Sequence, residues 1–204
     1  MSECIISYLP DDFKARIEDA LGLTLILTKN TGSTNEDLKA LARAGTANGS
    51  VLIAETQSRG HGQYQRVFES PRGGIYLSAL FRTGMPTEET MQLTSTIGLK
   101  MQEAVYNVCG VKADIKAPND LLVNGKKICG ILVESYTEPA SLAIVIGTGI
   151  NVNTDCSRFS RELRENASSL AEITGSPVDM ARLTEEILRQ IVSIPLLNNT
   201  LNSL

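Results

Sequence analysis

This sequence predicts an α+β fold with a mixed or mainly antiparallel sheet. Three observations lead there. Apolar strand-like runs outnumber helical periodicities, Asn124-Gly125 joins two such runs in the manner of a tight hairpin, and helical segments intervene between other runs. At 204 residues the chain suits one domain, 1–204, with a sizeable core.

Residues 10–21 read as a short helix behind Asp11 and Asp12, with Phe13, Ile17, Ala20 and Leu21 at helical spacing. Residues 23–27 follow as a strand. Thr31-Gly32-Ser33-Thr34-Asn35-Glu36-Asp37 then opens a helix to about Ala44, with Glu36 and Asp37 suited to the positive end of its dipole. The hydroxyl-rich turn is either plain capping or a set of partners for a small polar ligand.

Strands at 49–54 and 74–82 enclose a long polar loop. It holds Gly60, Gly62, Gly73 and Gly74, the arginines Arg59, Arg66 and Arg72, and the single histidine, His61. Glycines let backbone N–H groups approach an anion and arginines supply planar charged forks. The loop is equally readable as a cover for a phosphate or carboxylate and as a flexible basic hairpin. A loop at 83–87 leads to a helix over about 88–108, its apolar face formed by Met91, Leu93, Ile97, Met101, Ala104, Val105 and Val108.

Pro118-Asn119-Asp120 separates two strand-like segments, and 126–134 alternates poorly and reads as largely buried. An unpaired ammonium is costly to bury, so Lys127 is expected to face an anion site; the alternative, that Lys126 and Lys127 are solvated hairpin charges, covers at least one of the two. Residues 142–146 form a buried strand running into Gly147-Thr148-Gly149-Ile150-Asn151-Val152-Asn153, which is not a dinucleotide fingerprint. A polar loop, a short helix from Ser168 to Gly175, a helix over 179–197 and a frayed terminus complete the chain.

Composition excludes several classes. A net charge of −4 gives no footprint for nucleic acid. The four cysteines form no CxxC pair and the lone histidine no zinc cluster, so no metal site is predicted. Neither a secretory signal nor a membrane-length apolar run is present, and a cytoplasmic setting is expected.

TGSTNEDLK, AETQSRGHGQYQRVFESPRGGIYLS, KAPNDLLVNGKKICGILVES and IGTGINVN occur in the order and spacing of biotin protein ligases. Each piece is weak alone, but the four together, over about residues 28–153, resemble that family specifically. The resemblance implies a mixed, largely antiparallel sheet flanked by helices, shared with lipoate protein ligases. It also implies formation of biotinyl-5′-AMP from biotin and MgATP, followed by transfer of biotin to a lysine of a carboxylase carrier domain, usually that of acetyl-CoA carboxylase. By position, Ser33, Thr34, Asn35 and Gln57 correspond to partners of biotin's ureido end. Gly60 and His61 belong to the loop that orders over biotin, and Gly130 and Ile131 line its tail. Lys127 corresponds to the lysine at the carboxylate or phosphate, with Arg66 as its catalytic companion. Arg59, Gln63, Arg66, Phe68, Asn119, Asp120, Gly149 and Asn151 fall on the ATP and adenylate side. No protein ligand for Mg²⁺ is implied.

The chain departs from the pattern. The family's Gly-Arg-Gly-Arg-x-Gly-Arg is here Gly60-His61-Gly62-Gln63-Tyr64-Gln65-Arg66. Phe68 stands for a tryptophan, and so does Ala117 in the Lys-Trp-Pro-Asn-Asp pattern. These changes leave two alternatives beside the ligase, an acyl ligase for lipoate or another acid and a binding protein with little turnover. The chain shows no N-terminal winged-helix domain, so no DNA is expected as partner. A C-terminal β-domain is expected to be absent, and a homodimer through edge strands is left open.

Overall fold

The computed structural model describes residues 5–84, 90–139 and 141–201. Cys4, the 85–89 part of the expected loop and helix start, and residues 202–204 lie outside the described residues, as does the side chain of Met91. The elements are α1 (Phe13–Leu21), β1 (Thr24–Thr31), α2 (Thr34–Arg43), β2 (Ser50–Gln57), β3 (Gly74–Thr83), α3 (Thr90–Cys109), β4 (Asp114–Lys116), β5 (Asp120–Val123), β6 (Lys126–Thr137), β7 (Leu142–Asn151), α4 (Arg161–Asn166), α5 (Leu170–Thr174), α6 (Met180–Val192) and α7 (Pro195–Leu201).

The strands form one sheet in the order β1-β2-β3-β7-β6-β5-β4. Among the described residues, only β1 and β2 pair in parallel as strands, and the remaining strand pairs are antiparallel. The sheet is therefore mixed and largely antiparallel. Strand alternation divides its side chains between two cores. Ile75, Leu77 and Phe81 of β3 and Ile144 and Ile146 of β7 pack with Phe13 of α1, Ile97 and Met101 of α3 and Leu183, Ile187 and Ile191 of α6. On the opposite face α2 lays Leu38 and Ala42 onto Leu52, Leu80, Ala143 and Val145. That smaller core ends where β6 and β7 turn to glycine, and a cavity begins there.

Several boundaries differ from the sequence reading. β7 continues through Gly147 and Gly149 to Asn151, because side chains from other elements lie against the glycines. The polar stretch after it contains α4. Pro195, without an N–H, starts a new helix, so the last helix divides at Ser193. The terminus expected to fray is helical to Leu201, and Asn48 Nδ2 donates to Thr200 O at 2.8 Å. At the β5–β6 hairpin, Asn124 (φ 52°) and Gly125 (φ 76°) both take left-handed values, as the Asn-Gly pair predicts.

Candidate functional site

The site is assembled from the start of α2, the end of β2, the 58–70 loop, the β5–β6 hairpin and the glycines of β7. Ser33 occupies the N-cap position of α2 without a side-chain capping hydrogen bond, and Ser33, Thr34 and Asn35 are all buried. Gln57 Oε1 accepts from Thr34 N at 2.8 Å and from Thr34 Oγ1 at 3.1 Å, and Gln57 Nε2 donates to Ser70 Oγ at 2.9 Å. Ser78, a buried hydroxyl between Leu77 and Ala79, donates to Asn35 Oδ1 at 2.5 Å and lies 2.8 Å from Thr34 Oγ1. The turn is thus tied into a hydrogen-bonded network across three elements, which fixes the direction of each polar atom.

Behind this network sits a charge cluster. Asn35 Nδ2 donates to Glu134 Oε2 at 2.9 Å, and Lys39 Nζ lies 3.0 Å from Glu134 and 2.7 Å from Glu36. Burial alone would raise the Glu134 pKa, but the Asn35 hydrogen bond and Lys39 hold it below the usual carboxylate range. His61 Nε2 is 3.4 Å from Glu36 Oε1. Glu36, His61 and Glu134 bring possible ligand atoms within 4.8 Å of one another, but the Lys39 ammonium already serves the two carboxylates as their cation.

The loop is an ordered hairpin. Gln57 pairs with Ser70 and His61 with Val67, Phe68 N donates to Gly60 O at 2.9 Å, and residues 63–65 make a short 3₁₀ turn. Gly60 is required, since a Cβ there would stand 2.5 Å from Phe68 O and 2.6 Å from Ser70 Oγ. The arginines do not converge. Arg59 lies exposed along Gly32, Arg66 is exposed at the tip with its guanidinium 6.0 Å from the Tyr64 ring centroid, and Arg72 pairs with Glu55.

Lys127 reaches the cavity through a register shift between β5 and β6. Leu121 pairs with Cys129 but Leu122 with Lys127, so Ile128 and Cys129 both enter the core and Lys127 emerges on the same face as Gly130. Its ammonium lies 2.7 Å from Asp120 Oδ1 and 5.6 Å from the Phe68 ring centroid. Asn119 Nδ2 donates to Ile131 O at 3.1 Å, locking the Pro-Asn-Asp turn onto β6.

The resulting cavity of about 40 Å³ brings together Ser33, Thr34, Asn35, Gln57, His61, Phe68, Asn119, Lys127, Gly130, Ile131 and Gly149. A wide groove that Arg59, Gly60 and Asp155 help to line shares Ser33, Gln57, His61 and Phe68 with it. Gln63 and Arg66 line neither. Asp120 reaches the cavity through its ion pair with Lys127. Asn151 lies two residues beyond Gly149 on β7, buried, with Nδ2 donating to Ser168 O and, among the described residues, no hydrogen-bond partner for Oδ1. Sequence reasoning missed Ser78, Ser70, Lys39, Glu134 and Gly147. A serine inside GIYLSALF and a glutamate inside a long strand were the available signals.

Among the described residues, no helix is long and apolar enough to cross a membrane. The sequence profile of the biotin/lipoate A/B protein ligase family matches residues 27–151. The bifunctional ligase/repressor BirA of Bacillus spizizenii is 35% identical over 172 residues, covering 83% of this chain and 53% of that protein. The biotin–[acetyl-CoA-carboxylase] ligase of Mycobacterium tuberculosis is 33% identical over 173 residues, covering 82% of this chain and 62% of that protein. The chain therefore spans between half and two thirds of the length of these relatives. In structure it is similar to the biotin protein ligase of Aquifex aeolicus solved with biotin and ATP. The TM-score is 0.70 and the identity 30%, with 87% of this chain and 70% of that chain covered.

Proposed function

Because this chain belongs to the biotin/lipoate A/B protein ligase family, we propose that it activates biotin with MgATP and transfers the biotinyl group to a lysine of a carboxylase carrier domain. One observation carries the reading. A fixed set of neutral hydrogen-bonding groups at the start of α2 faces a single ammonium, Lys127, across a narrow floor of glycine. That arrangement suits a molecule with a neutral polar ring at one end and a carboxylate at the other.

Ser33, Thr34, Asn35 and Gln57 take the ureido ring, which donates two N–H groups and accepts at its carbonyl. Gly130 and Ile131 flank the aliphatic tail. Lys127 exchanges Asp120 for the incoming carboxylate and the α-phosphate. A carboxylate oxygen then attacks the α-phosphorus and pyrophosphate leaves. The carrier lysine amine next attacks the acyl carbon and AMP leaves. Both steps need positioning and charge stabilisation more than a side-chain nucleophile. Asn151 Oδ1, buried without a partner among the described residues, suits the exocyclic amine of adenine. Asp120 and Glu134 are each paired with a lysine, so Mg²⁺ enters as MgATP, held by the phosphates.

Incubation with biotin, MgATP and an apo carrier domain tests the reading, with biotinylated carrier as the expected product. Lipoate is disfavoured, because a dithiolane offers the Thr34–Gln57 network nothing to bond. Retention of biotin or its adenylate without turnover is a second reading, supported by the exposed Arg66 and by the absence of arginine at 61 and 63. Tight biotin binding without carrier labelling would select it.

A further inference from the structure

We propose that Phe68 plugs the acid-binding floor of the ligand-free protein and must withdraw before the acid can enter; this rests on the function proposed above. Gly130 and Gly149 face each other in register across β6 and β7 and make a flat patch. The Phe68 ring lies on it, and a Cβ at Gly149 would stand 2.6 Å from the ring and one at Gly130 3.2 Å. The ring occupies the space that missing side chains leave beside Lys127.

The remaining cavity of about 40 Å³ admits about three waters. Small-molecule sites commonly measure roughly 300 Å³ or more. The cavity alone is therefore too small for a bicyclic acid with a tail, and the space over Gly130 and Gly149 that would enlarge it is filled by the ring, although a wide groove shares Ser33, Gln57, His61 and Phe68 with it. The backbone of Phe68 is held from two sides, by its N–H donating to Gly60 O and by Ser70 Oγ donating to Phe68 O at 2.9 Å. The ring edge meets Tyr76 with centroids 6.4 Å apart.

The plug also occupies the cation. The Lys127 ammonium is shared between the Phe68 ring and the Asp120 carboxylate, so withdrawal of the ring opens the floor and exposes Lys127 to an incoming carboxylate together. Apparent affinity is then reduced by the fraction of molecules with the ring in place.

Nuclear magnetic resonance of the full chain tests this without and with ligand. The ligand-free protein is expected to give contacts between the Phe68 ring protons and the α-protons of Gly130 and Gly149, and saturating biotin is expected to abolish them. Their absence from the free protein, or their persistence in the complex, overturns the plug. Surface plasmon resonance with biotin as analyte adds a kinetic test. Phe68→Ala is expected to associate about tenfold faster than wild type, while Phe68→Leu, which refills much of the space, stays slow. Equal association rates for wild type and Phe68→Ala overturn it as well. If neither protein binds biotin, the biotin reading fails instead, and the ligand-free contacts alone decide where the ring sits.

Discussion

Lys127 Nζ stands 2.7 Å from Asp120 Oδ1 across the β5–β6 hairpin, and Lys127 lines the cavity. The register shift at Ile128 turns Lys127 out of the core, and Asp120 holds it over Gly130. Lys127→Ala is expected to lower adenylate formation by about a hundredfold or more, as loss of a fixed charge-stabilising donor does. Asp120→Asn keeps the cation but loosens it, so the loss is smaller. Single-turnover pyrophosphate release measures both, and activity of Lys127→Ala within a few-fold of wild type would remove it from the chemistry.

Gly147 is a packing requirement of the same site. A Cβ there would stand 2.1 Å from Asn35 Oδ1, and Asn35 cannot retreat without losing Ser78 and Glu134. Gly147→Ala should destabilise the fold by about 1–3 kcal/mol, as overpacking does, and weaken biotin binding besides. Denaturant unfolding and calorimetric titration of the same preparation check the two effects.

How much of this was legible in the sequence follows from how each feature is encoded. The β5–β6 hairpin was readable because Asn124-Gly125 specifies the turn locally, and the sheet class because apolar alternation is local too. The extension of β7 was not, since Gly147 and Gly149 resemble a loop until Asn35 and Phe68 are seen lying against them. The motifs pointed to Ser33, Thr34, Gln57 and Lys127, which the fold brings to one cavity. They could not show that Arg66 and Gln63 sit at the loop tip, because the conformation of residues 58–70 depends on long-range contacts to Gly32, Tyr76 and Gly149.

Glu134 makes the site sensitive to acid. Burial opposes ionisation, but Asn35 and Lys39 outweigh it and lower its folded-state pKa. Its contribution to stability is therefore present above the ordinary carboxylate value and lost as pH falls through the lowered one. Wild type should lose melting temperature more steeply than Glu134→Gln between roughly pH 5 and 3. Parallel acid profiles would show that the cluster does not anchor α2.

Tyr64 and Gln65 adopt left-handed backbone at the loop tip, with φ of 56° and 58°, and neither is a glycine. Gln65→Gly should relieve the strain at that position and stabilise this loop conformation by up to about 1 kcal/mol. Hydrogen exchange at Gly62 and Phe68, whose amides close the hairpin, reads the change. Faster exchange in the variant would show that the tip is not strained.

Biotin-dependent release of pyrophosphate from MgATP tests the proposed activity most directly. The site as built predicts a burst of pyrophosphate close to one equivalent per chain that requires biotin, is lost in Lys127→Ala, and is not produced by lipoate. Wild-type protein saturated with biotin that releases no more pyrophosphate than a biotin-free control would contradict it.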